Sequence, residues 1–395
     1  MQVTHPGGLI ADAKADITQH EIAALKTRYN LADAHTHQRQ SPTQRAIVES
    51  LPSIWYEAEN HSQYASEQAF IEAFYRFHGQ QHALKRSDNI YLVYAASIGM
   101  HITATYLQKT KARVGLIEPC FDNLPDLMKH MQVSLSPLPE HLFKAAEGVY
   151  ANLAVWTKDL DAIFMVDPNN PTGFSLFNPG PEAFKEVVRF CVDHDKLLIL
   201  DLCFAAFLMT SGQPRCDIYE ILENSGVRYI AMEDTGKTWP LQDAKCATLL
   251  ASQNINDDIY PIVTSVLLNV SPFVLRLITR YIEDSGKDNF ASVRNLLDVN
   301  RECARDHLDS PYLKYCEPQI KSSVAWFEIQ DPKQRADELQ AYLLEDEIYV
   351  LSGKYFYWNN PEQGQRYIRI ALAREAGLFS DAMKAIKKSL GGYFE

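Results

Sequence analysis

Four side chains with chemical capacity stand in, or directly after, apolar runs of this chain. Lys237 follows Met-Glu-Asp-Thr-Gly, Asp201 ends Lys-Leu-Leu-Ile-Leu-Asp, and Asn170 lies in Asp-Pro-Asn-Asn-Pro-Thr-Gly. Arg369 lies in Tyr-Ile-Arg-Ile-Ala-Leu near the C-terminus. A lysine amine can form a Schiff base, and an ionised carboxylate after an apolar run needs a partner. The guanidinium fork of Arg369 suits an α-carboxylate, and a surface position at a strand edge is its plainer interpretation.

These groups, in this order, are what a pyridoxal phosphate (PLP) site requires. Asn170 precedes Asp201 by 31 residues and Asp201 precedes Lys237 by 36, each after its own predicted strand. Lys237 would form the Schiff base, and Asp201 would hold the pyridinium nitrogen protonated. Asn170 can donate a hydrogen bond to the phenolic oxygen of the cofactor. Taken alone, each has a plainer interpretation: a surface lysine, a helix cap and a turn residue.

Further residues complete the predicted cofactor site. The phosphate needs donors from a strand-to-helix turn. Ser97 and its neighbouring backbone amides, including that of Ile98, supply such a turn in Ala-Ala-Ser-Ile-Gly-Met. Lys245, eight residues after Lys237, provides a second cation there. Phe121 can stack on the pyridine ring, although an ordinary core position explains it nearly as well without this context.

The elements that must position these residues follow from the hydrophobic pattern. Unbroken apolar runs separated by amphipathic helices indicate a parallel sheet covered on both faces. Such sheets bind ligands at the C-terminal ends of their strands, where Asn170, Asp201 and Lys237 fall. The predicted strands are Ile90–Tyr94, Arg113–Ile117, Ala162–Val166, Leu197–Asp201, Tyr229–Glu233 and Cys246–Leu250, with a helix over Pro181–Cys191.

An N-terminal arm precedes this region. Residues 1–42 are polar and rich in histidine, unlike the rest of the chain. A helix is predicted from Thr18 to Tyr29, beginning with a capping box formed by Thr18 and Glu21.

A smaller unit follows the sheet region. Val263–Ile282 is predicted to be one long helix that leaves the large domain. The unit is predicted to contain strands Ser323–Ile329, Ile348–Leu351 and Arg366–Ala373 and a helix from about Ser380 to Leu390. We therefore expect an arm over residues 1–42, a large PLP-binding domain over 43–285 and a small domain over 286–395.

Composition sets the broad class. A chain of 395 residues, 46% hydrophobic and 11% aromatic, can bury a large core. The net charge of −12 argues against nucleic acid or an anionic membrane as the main partner and is compatible with a cationic substrate. Seven cysteines without a Cys-x-x-Cys motif favour reduced thiols in the cytoplasm. The N-terminus lacks an apolar signal core, and no run reaches the roughly 18 apolar residues of a membrane span.

From about residue 40 to the end, the chain resembles the fold-type I PLP enzymes, the aspartate aminotransferase superfamily. The resemblance rests on Asn170-Pro-Thr-Gly, Asp201, Lys237 and Arg369, which match the family pattern in order and spacing. It implies an α/β fold, with a large domain built on a mostly parallel seven-stranded sheet and a smaller C-terminal α/β domain. Family sites are usually completed across a homodimer.

Three departures from that pattern point to a narrower group. Phe204 stands where the family usually has a tyrosine, and Lys245 stands where it usually has an arginine. Asp234-Thr-Gly replaces Ser-x-Ser, which puts a carboxylate three residues before Lys237. In these respects the chain is similar to the oxygen-dependent PLP arginine oxidases of natural-product pathways. One branch of that group hydroxylates arginine on the way to enduracididine, and another desaturates it on the way to indolmycin.

The narrower resemblance includes the arm and therefore spans nearly the whole chain. It implies that Glu21 and Asp234 bind the guanidinium and that Arg369 binds the carboxylate of the substrate. Thr18 and Glu21 would come from an arm that folds over the site, of this subunit or of a partner subunit. His35 would lie near C4′ of the cofactor and handle protons or a reactive water. The shared motifs are Asp33-Ala-His-x-x-Gln-x-x-Ser-Pro, Leu51-Pro-x-x-Trp, Phe121-Asp-Asn and Glu233-Asp-Thr-Gly-Lys-x-Trp-Pro.

The resemblance implies O2-dependent oxidation of L-arginine by four electrons to 4,5-didehydro-2-iminoarginine, with release of H2O2. This product can hydrolyse to the 2-keto acid. The alternative is the hydroxylated and deaminated product 4-hydroxy-2-ketoarginine, but the whole-chain resemblance is closer to the desaturating branch. PLP and O2 are the implied cofactor and co-substrate, with no metal or flavin. The implied partners are L-arginine, a second copy of the chain in a homodimer or higher homo-oligomer, and a downstream imine reductase.

Three other interpretations are weaker. An ordinary aminotransferase would share the core pattern, but Phe204, Asp234 and the His-bearing arm argue against it. A PLP-binding transcriptional regulator needs a basic helix-turn-helix, and residues 1–42 are too short and too acidic to form one. A metal site at His35 would need His37 and His20, and an i, i+2 pair does not share a helix face.

Overall fold

Six of the seven central-sheet strands within the described residues occupy the positions that the apolar runs predict. The computed structural model describes residues 16–121, 123–211 and 215–394. The first 15 residues of the predicted arm and Asp122 of the Phe121-Asp-Asn motif lie outside this range. In chain order the strands are β1 (Tyr29–Asn30), β2 (Ile90–Val93), β3 (Arg113–Glu118), β4 (Ser134–Pro139), β5 (Ala162–Val166), β6 (Leu197–Asp201), β7 (Tyr229–Asp234), β8 (Ala247–Ala251), β9 (Leu313–Cys316), β10 (Val324–Ile329), β11 (Ile348–Tyr349), β12 (Leu351–Ser352) and β13 (Tyr367–Ala371).

The central sheet has seven strands within the described residues, in the order β2-β8-β7-β6-β5-β3-β4. Neighbouring strands pair in parallel through the five strands β7, β6, β5, β3 and β4. Strand β8 pairs antiparallel with both β7 and β2. Strands β5 and β6 are buried along their whole length, as expected for parallel strands covered on both faces. The predicted α/β fold with a mostly parallel seven-stranded sheet is confirmed.

The edge strand β4 is not among the predicted strands. Its sequence, Ser-Leu-Ser-Pro-Leu-Pro, contains two prolines and alternates polar with apolar residues, unlike the apolar runs of the inner strands. Prolines are tolerated at a sheet edge because one side of the strand needs no ladder hydrogen bonds, and β4 pairs only with β3 in the described sheet.

Helices cover the sheet and connect its strands. In chain order they are α1 (Ile17–Ala24), α2 (Pro42–Glu49), α3 (Leu51–Glu59), α4 (Gln63–Phe77), α5 (Gln81–Leu84), α6 (Ala96–Thr110), α7 (Asn123–His130), α8 (Val149–Trp156), α9 (Glu182–Asp193), α10 (Ile218–Ser225), α11 (Gln253–Val266), α12 (Pro272–Lys287), α13 (Ala291–Leu308), α14 (Ala336–Glu345), α15 (Pro361–Gly364) and α16 (Ala376–Phe394). Helix α6 packs against β7 and β8, and α9 packs against β6. Among the described residues, no helix combines the length and apolar character that a membrane crossing requires.

The predicted long helix over Val263–Ile282 is wrong. Helix α11 ends at Val266 and α12 begins at Pro272. Leu267 has an extended backbone (φ −148°, ψ 137°), and the residue before a proline also disfavours helical angles. Apolar spacing continues across the break, so periodicity alone does not reveal it.

The arm helix is shorter than predicted and begins differently. Helix α1 ends at Ala24, and Tyr29 belongs to β1, which pairs in parallel with β11. The helix is capped by Asp16, whose side chain accepts a hydrogen bond from the Gln19 amide at 2.8 Å. The predicted capping box at Thr18 and Glu21 is therefore wrong.

The C-terminal unit contains an antiparallel sheet in the order β12-β13-β10-β9. The predicted strand Ile348–Leu351 is divided between β11, which pairs with the arm, and β12, which pairs with β13. The predicted C-terminal helix lies within α16. The domain limits stay a prediction, and the limit after residue 285 falls inside α12.

Candidate active site

One cavity of about 220 Å³ gathers most of the predicted site residues. It lies where β5, β6 and β7 end, at Val166, Asp201 and Asp234, and at the start of α6. Of the predicted residues, Ile98 and Arg369 do not line it. Those that do are Thr18, Glu21, His35, Ser97, Phe121, Asn170, Asp201, Asp234, Lys237 and Lys245.

Lys237 is held in the turn that follows β7. The turn is fixed by Thr235, whose hydroxyl lies 3.0 Å from the carbonyl oxygen of Cys246. A Cβ atom at Gly236 would lie 2.8 Å from Cδ of Lys245 and 3.0 Å from Oδ1 of Asp234, so a larger residue there would require these side chains to move. The amine of Lys237 lies 3.2 Å from Nε2 of His35, which brings the predicted Schiff-base lysine next to the predicted proton-handling group.

Asp201 is a buried carboxylate at the end of β6. Its Oδ1 accepts a hydrogen bond from the Cys203 amide at 3.0 Å, so it also caps the following turn, as its plainer interpretation requires. Burial raises the pKa of Asp201, while the hydrogen bond from Cys203 and the positive charge of Lys237 oppose that shift. A carboxylate in this setting gains stability from a cationic N–H partner, which fits a protonated pyridine nitrogen.

Asn170 lines the cavity and contacts Arg369, which does not line it. The glycine of the Asn-Pro-Thr-Gly turn, Gly173, has φ +70°, and a Cβ there would lie 2.5 Å from Pro318. Arg369 is fully buried, with Nη1 3.4 Å from Oδ1 of Asn170 and its guanidinium 5.2 Å from the ring centre of Phe356. The surface interpretation of Arg369 is therefore wrong.

The turn predicted to bind phosphate begins α6. Ser97 lines the cavity, but the Ile98 amide already donates to the carbonyl of Ala95 at 3.0 Å, so the geometry does not support Ile98 as a phosphate donor. The Ala96 amide donates to Oδ2 of Asp234 at 2.9 Å. Asp234 thus lies at the start of α6, where helix N-termini favour anions.

The second predicted phosphate cation, Lys245, lies on the same side. It lines the cavity with Lys237, and its amine lies 3.4 Å from a carboxylate oxygen of Asp243. This ion pair is exposed and therefore weak, so it leaves the amine available to an anion.

The arm lies across the cavity and packs on the loop after Lys237. Thr36 donates to the carbonyl of Trp239 at 2.7 Å, and Gln40 donates to the carbonyl of Pro240 at 2.5 Å. Thr18 accepts a hydrogen bond from Nδ2 of Asn123 at 3.1 Å, which ties α1 to the segment that carries the cavity-lining Phe121.

The Glu21 side chain contacts Ala34 of the arm and Arg369 instead of capping its own helix. Its Oε1 lies 3.4 Å from Nη2 of Arg369 and accepts a hydrogen bond from the Ala34 amide at 3.4 Å. The same Nη2 atom also donates to the carbonyl of Ala32. The two residues predicted to bind opposite ends of a substrate therefore contact each other.

Asp33 is the site residue that the sequence interpretation does not single out. Its Oδ1 lies 2.5 Å from Nδ1 of His35, and its Oδ2 lies 2.5 Å from Nε2 of His37. Burial opposes ionisation of Asp33, but the hydrogen bonds from His35 and His37 hold its pKa well below the usual range. The Asp-Ala-His spacing is the available signal, because an aspartate two residues from a histidine can reach its ring.

The alternative metal set of His20, His35 and His37 is not assembled in the described chain. His20 lies 2.7 Å from the hydroxyl of Tyr349, away from the other two. Glu21, Asp33 and His35 do bring ligand-type atoms within 4.8 Å of one another. Those atoms already make the hydrogen bonds and ion pair described above, so we assign no metal to them.

The family comparison supports the cofactor chemistry. A family model described as aminotransferase class I and II matches residues 39–386 of the chain. Curated relatives match shorter stretches. LL-diaminopimelate aminotransferase of Protochlamydia amoebophila (strain UWE25) is 35% identical over 99 residues, which cover 25% of this chain and 21% of that protein. The chain thus aligns with about a fifth of that relative's length.

Solved structures match over nearly the whole chain. The structure of MppP soaked with the product 2-ketoarginine has a TM-score of 0.83 and 28% identity, covering 91% of this chain and 99% of that chain. The α-aminoadipate aminotransferase LysN of Thermus thermophilus has a TM-score of 0.76 and 16% identity, covering 98% and 97%. The second likeness concerns the fold alone.

Proposed function

Because the chain belongs to the class I and II aminotransferase family, we propose that it is a PLP-dependent enzyme that uses O2 to oxidise L-arginine. The observation that carries this proposal is the 3.2 Å contact between Lys237 and His35 of the arm. This contact adds an imidazole to the lysine, aspartate and asparagine of the family pattern. The similarity to MppP, a protein described with 2-ketoarginine as product, supports arginine as the substrate.

PLP, when bound, supplies an electron sink for the carbon from which the substrate proton is removed. Lys237 would hold it covalently, and Asp201 would face its ring nitrogen. Ser97 and Lys245 would bind the phosphate, while Phe121 would stack on the ring. Phe204, which lines the cavity next to Asp201, has no hydroxyl to donate to the phenolic oxygen. That contact is therefore left to Asn170.

The carboxylates of Glu21 and Asp234 line the same cavity and suit the planar guanidinium of arginine. Arg369 would bind the substrate carboxylate. For this, the α-carboxylate must compete with Glu21 and the Ala32 carbonyl for the guanidinium of Arg369. Two carboxylates facing one cation would discriminate arginine from neutral amino acids.

The proposed reaction removes four hydrogens from L-arginine and gives 4,5-didehydro-2-iminoarginine. Their four electrons reduce two molecules of O2 to two of H2O2. Lys237 takes the α-proton, and His35 exchanges protons with the lysine amine beside it. The desaturated imine can hydrolyse to the 2-keto acid and ammonia, or pass to an imine reductase.

We further propose that the enzyme works as a homodimer in the cytoplasm. Large apolar side chains that belong to α3, α4 and the segment before α12 are exposed in the single chain, which favours burial against a second copy. They are Trp55, Tyr56, Tyr64 and Leu268. The seven cysteines are all free thiols, which suits a reducing compartment.

The test is oxygen uptake by PLP-loaded protein with L-arginine and no keto acid, with products identified by mass. Uptake with an unsaturated product supports the desaturase, and a product heavier by one oxygen indicates the 4-hydroxylase. Amino transfer to 2-oxoglutarate without oxygen uptake would identify an ordinary aminotransferase instead. The Lys237→Ala variant is the control, because it should lose at least about 100-fold in rate if Lys237 moves the proton.

A further inference from the structure

A line of hydrogen-bonded groups leads from Lys237 to the protein surface. Nζ of Lys237 lies 3.2 Å from Nε2 of His35, and Nδ1 of His35 lies 2.5 Å from Oδ1 of Asp33. The other carboxylate oxygen of Asp33 lies 2.5 Å from Nε2 of His37. The side chain of Asp33 is 6% exposed, whereas that of His37 is 40% exposed. One buried carboxylate therefore serves two imidazoles, an inner one and an outer one.

The backbone holds this carboxylate in place. The amide of His35 donates to Oδ1 of Asp33 at 2.8 Å. Arg374 donates to the carbonyl oxygens of Asp33 at 2.5 Å and His35 at 3.0 Å. The carboxylate can therefore act on both rings without moving. His35 and His37 also line a second cavity of about 210 Å³, next to Gly236 and Lys245, which gives the outer ring access to water.

We propose that His37 is a positioning residue for His35, because the Asp33 carboxylate that they share determines how strongly His35 holds a proton beside Lys237. Asp33 accepts the Nδ1 proton of His35, which leaves Nε2 facing the lysine amine. A proton on His37 neutralises part of the Asp33 charge and weakens its hold on a protonated His35. This inference rests on the proposed function only for its link to turnover.

The two partners of His35 act in opposite directions. Asp33 stabilises the charged form of His35, and a protonated His37 destabilises it through the shared carboxylate. Other charges act on the pair equally in every variant considered below, and those that contact it or line its cavities are Lys237, Glu21, Arg374, Lys245, Asp243, Asp201 and Asp234.

The experiment follows the titration of each imidazole by NMR in the cofactor-free protein, where activity is not involved. His37→Gln keeps a neutral donor near Asp33, so the His35 midpoint should rise by about 0.5 to 1 pH unit. Asp33→Asn should lower it by about 1 to 2 units. His194→Gln is the matched control, because His194 is an exposed histidine at the end of α9 and should leave His35 unchanged.

The same variants link the titration to turnover. In the PLP-loaded enzyme, the acid limb of oxygen uptake should move to higher pH in His37→Gln and to lower pH in Asp33→Asn. An unchanged His35 midpoint in His37→Gln overturns the inference, whatever the activity. A shifted midpoint in a protein that never consumes oxygen supports the inference and refutes the proposed function instead.

Discussion

The carboxylate of Glu21 lies 3.4 Å from the guanidinium of Arg369, although 348 residues separate them in the chain. Both side chains are buried, and the pair joins the arm to strand β13 of the small sheet. Each is proposed to bind one end of arginine. If arginine binds as proposed, it replaces this one attractive interaction with two, and the pair would then contribute to specificity.

Glu21→Gln should therefore weaken the binding of arginine but not that of its neutral analogue L-citrulline. The KM for L-arginine should rise by about 10- to 100-fold, because a charged hydrogen bond to the guanidinium is lost. L-citrulline should bind equally well or better, since Arg369 is released from Glu21. Steady-state kinetics with both compounds would test this, with Glu49→Gln on the exposed face of α2 as control. An equal rise in KM for both compounds would contradict the proposal that Glu21 binds the guanidinium.

Asp201→Asn should stabilise the cofactor-free protein at neutral pH. The pKa of Asp201 is raised by burial in the folded state, so the folded protein retains a proton that the unfolded chain loses above about pH 4. Wild-type stability should then fall as pH rises from there to the folded pKa, by about 1.4 kcal/mol for each unit.

The Asn variant has no carboxyl group at this position and therefore does not lose stability in this way. Its free energy of unfolding relative to the wild type should increase with pH over the same window and then become constant. Thermal unfolding at several pH values, without PLP, measures it. In the PLP-loaded enzyme the wild type should be the more stable of the two, because the variant cannot hold the ring nitrogen protonated. A constant difference at all pH values would mean that the pKa of Asp201 is the same in the folded and unfolded states.

Much of the large domain could be predicted because its strands are unbroken apolar runs. Strands β5 and β6 read Ala-Ile-Phe-Met-Val and Leu-Leu-Ile-Leu-Asp, and burial on both faces requires such runs. Their parallel pairing then places Asn170 and Asp201 at one edge of the sheet, as predicted. Edge strand β4 escapes prediction because its two prolines and two serines leave no apolar run, and the break before Pro272 escapes it because apolar spacing continues across the break.

The contacts of the arm could not be predicted from local sequence. Spacing alone assigns Glu21 to a capping box, whereas the structure places it beside Arg369 through a fold that joins distant segments. The hydrogen bonds from both His35 and His37 to Asp33 depend on the path of the arm over the Lys237 turn. Such paths are determined by tertiary packing, which spacing along the chain does not encode.

Leu268→Asp should convert the proposed homodimer to monomer. Leu268 is 94% exposed in the single chain and lies between α11 and α12. In α12, Phe273 contacts the exposed Trp55 at 5.5 Å between ring centres. A charge in a buried interface is costly, so dissociation should become measurable at micromolar concentration. Mass determination by light scattering would test this. Val155→Asp is the control, because Val155 is 77% exposed on α8 and outside this surface.

Asp234→Ser should strengthen the binding of the cofactor and weaken the binding of the substrate. The Asp234 carboxylate occupies the Ala96 amide at the start of α6, the turn where the cofactor phosphate is proposed to bind, so it repels that phosphate. Serine removes the charge and keeps a polar side chain there, so PLP affinity should increase by about 10-fold. The KM for L-arginine should rise by a similar factor, because one carboxylate for the guanidinium is lost. Fluorescence titration with PLP and oxygen-uptake kinetics measure the two effects. Weaker binding of both PLP and arginine would show instead that Asp234 acts mainly as the cap of α6.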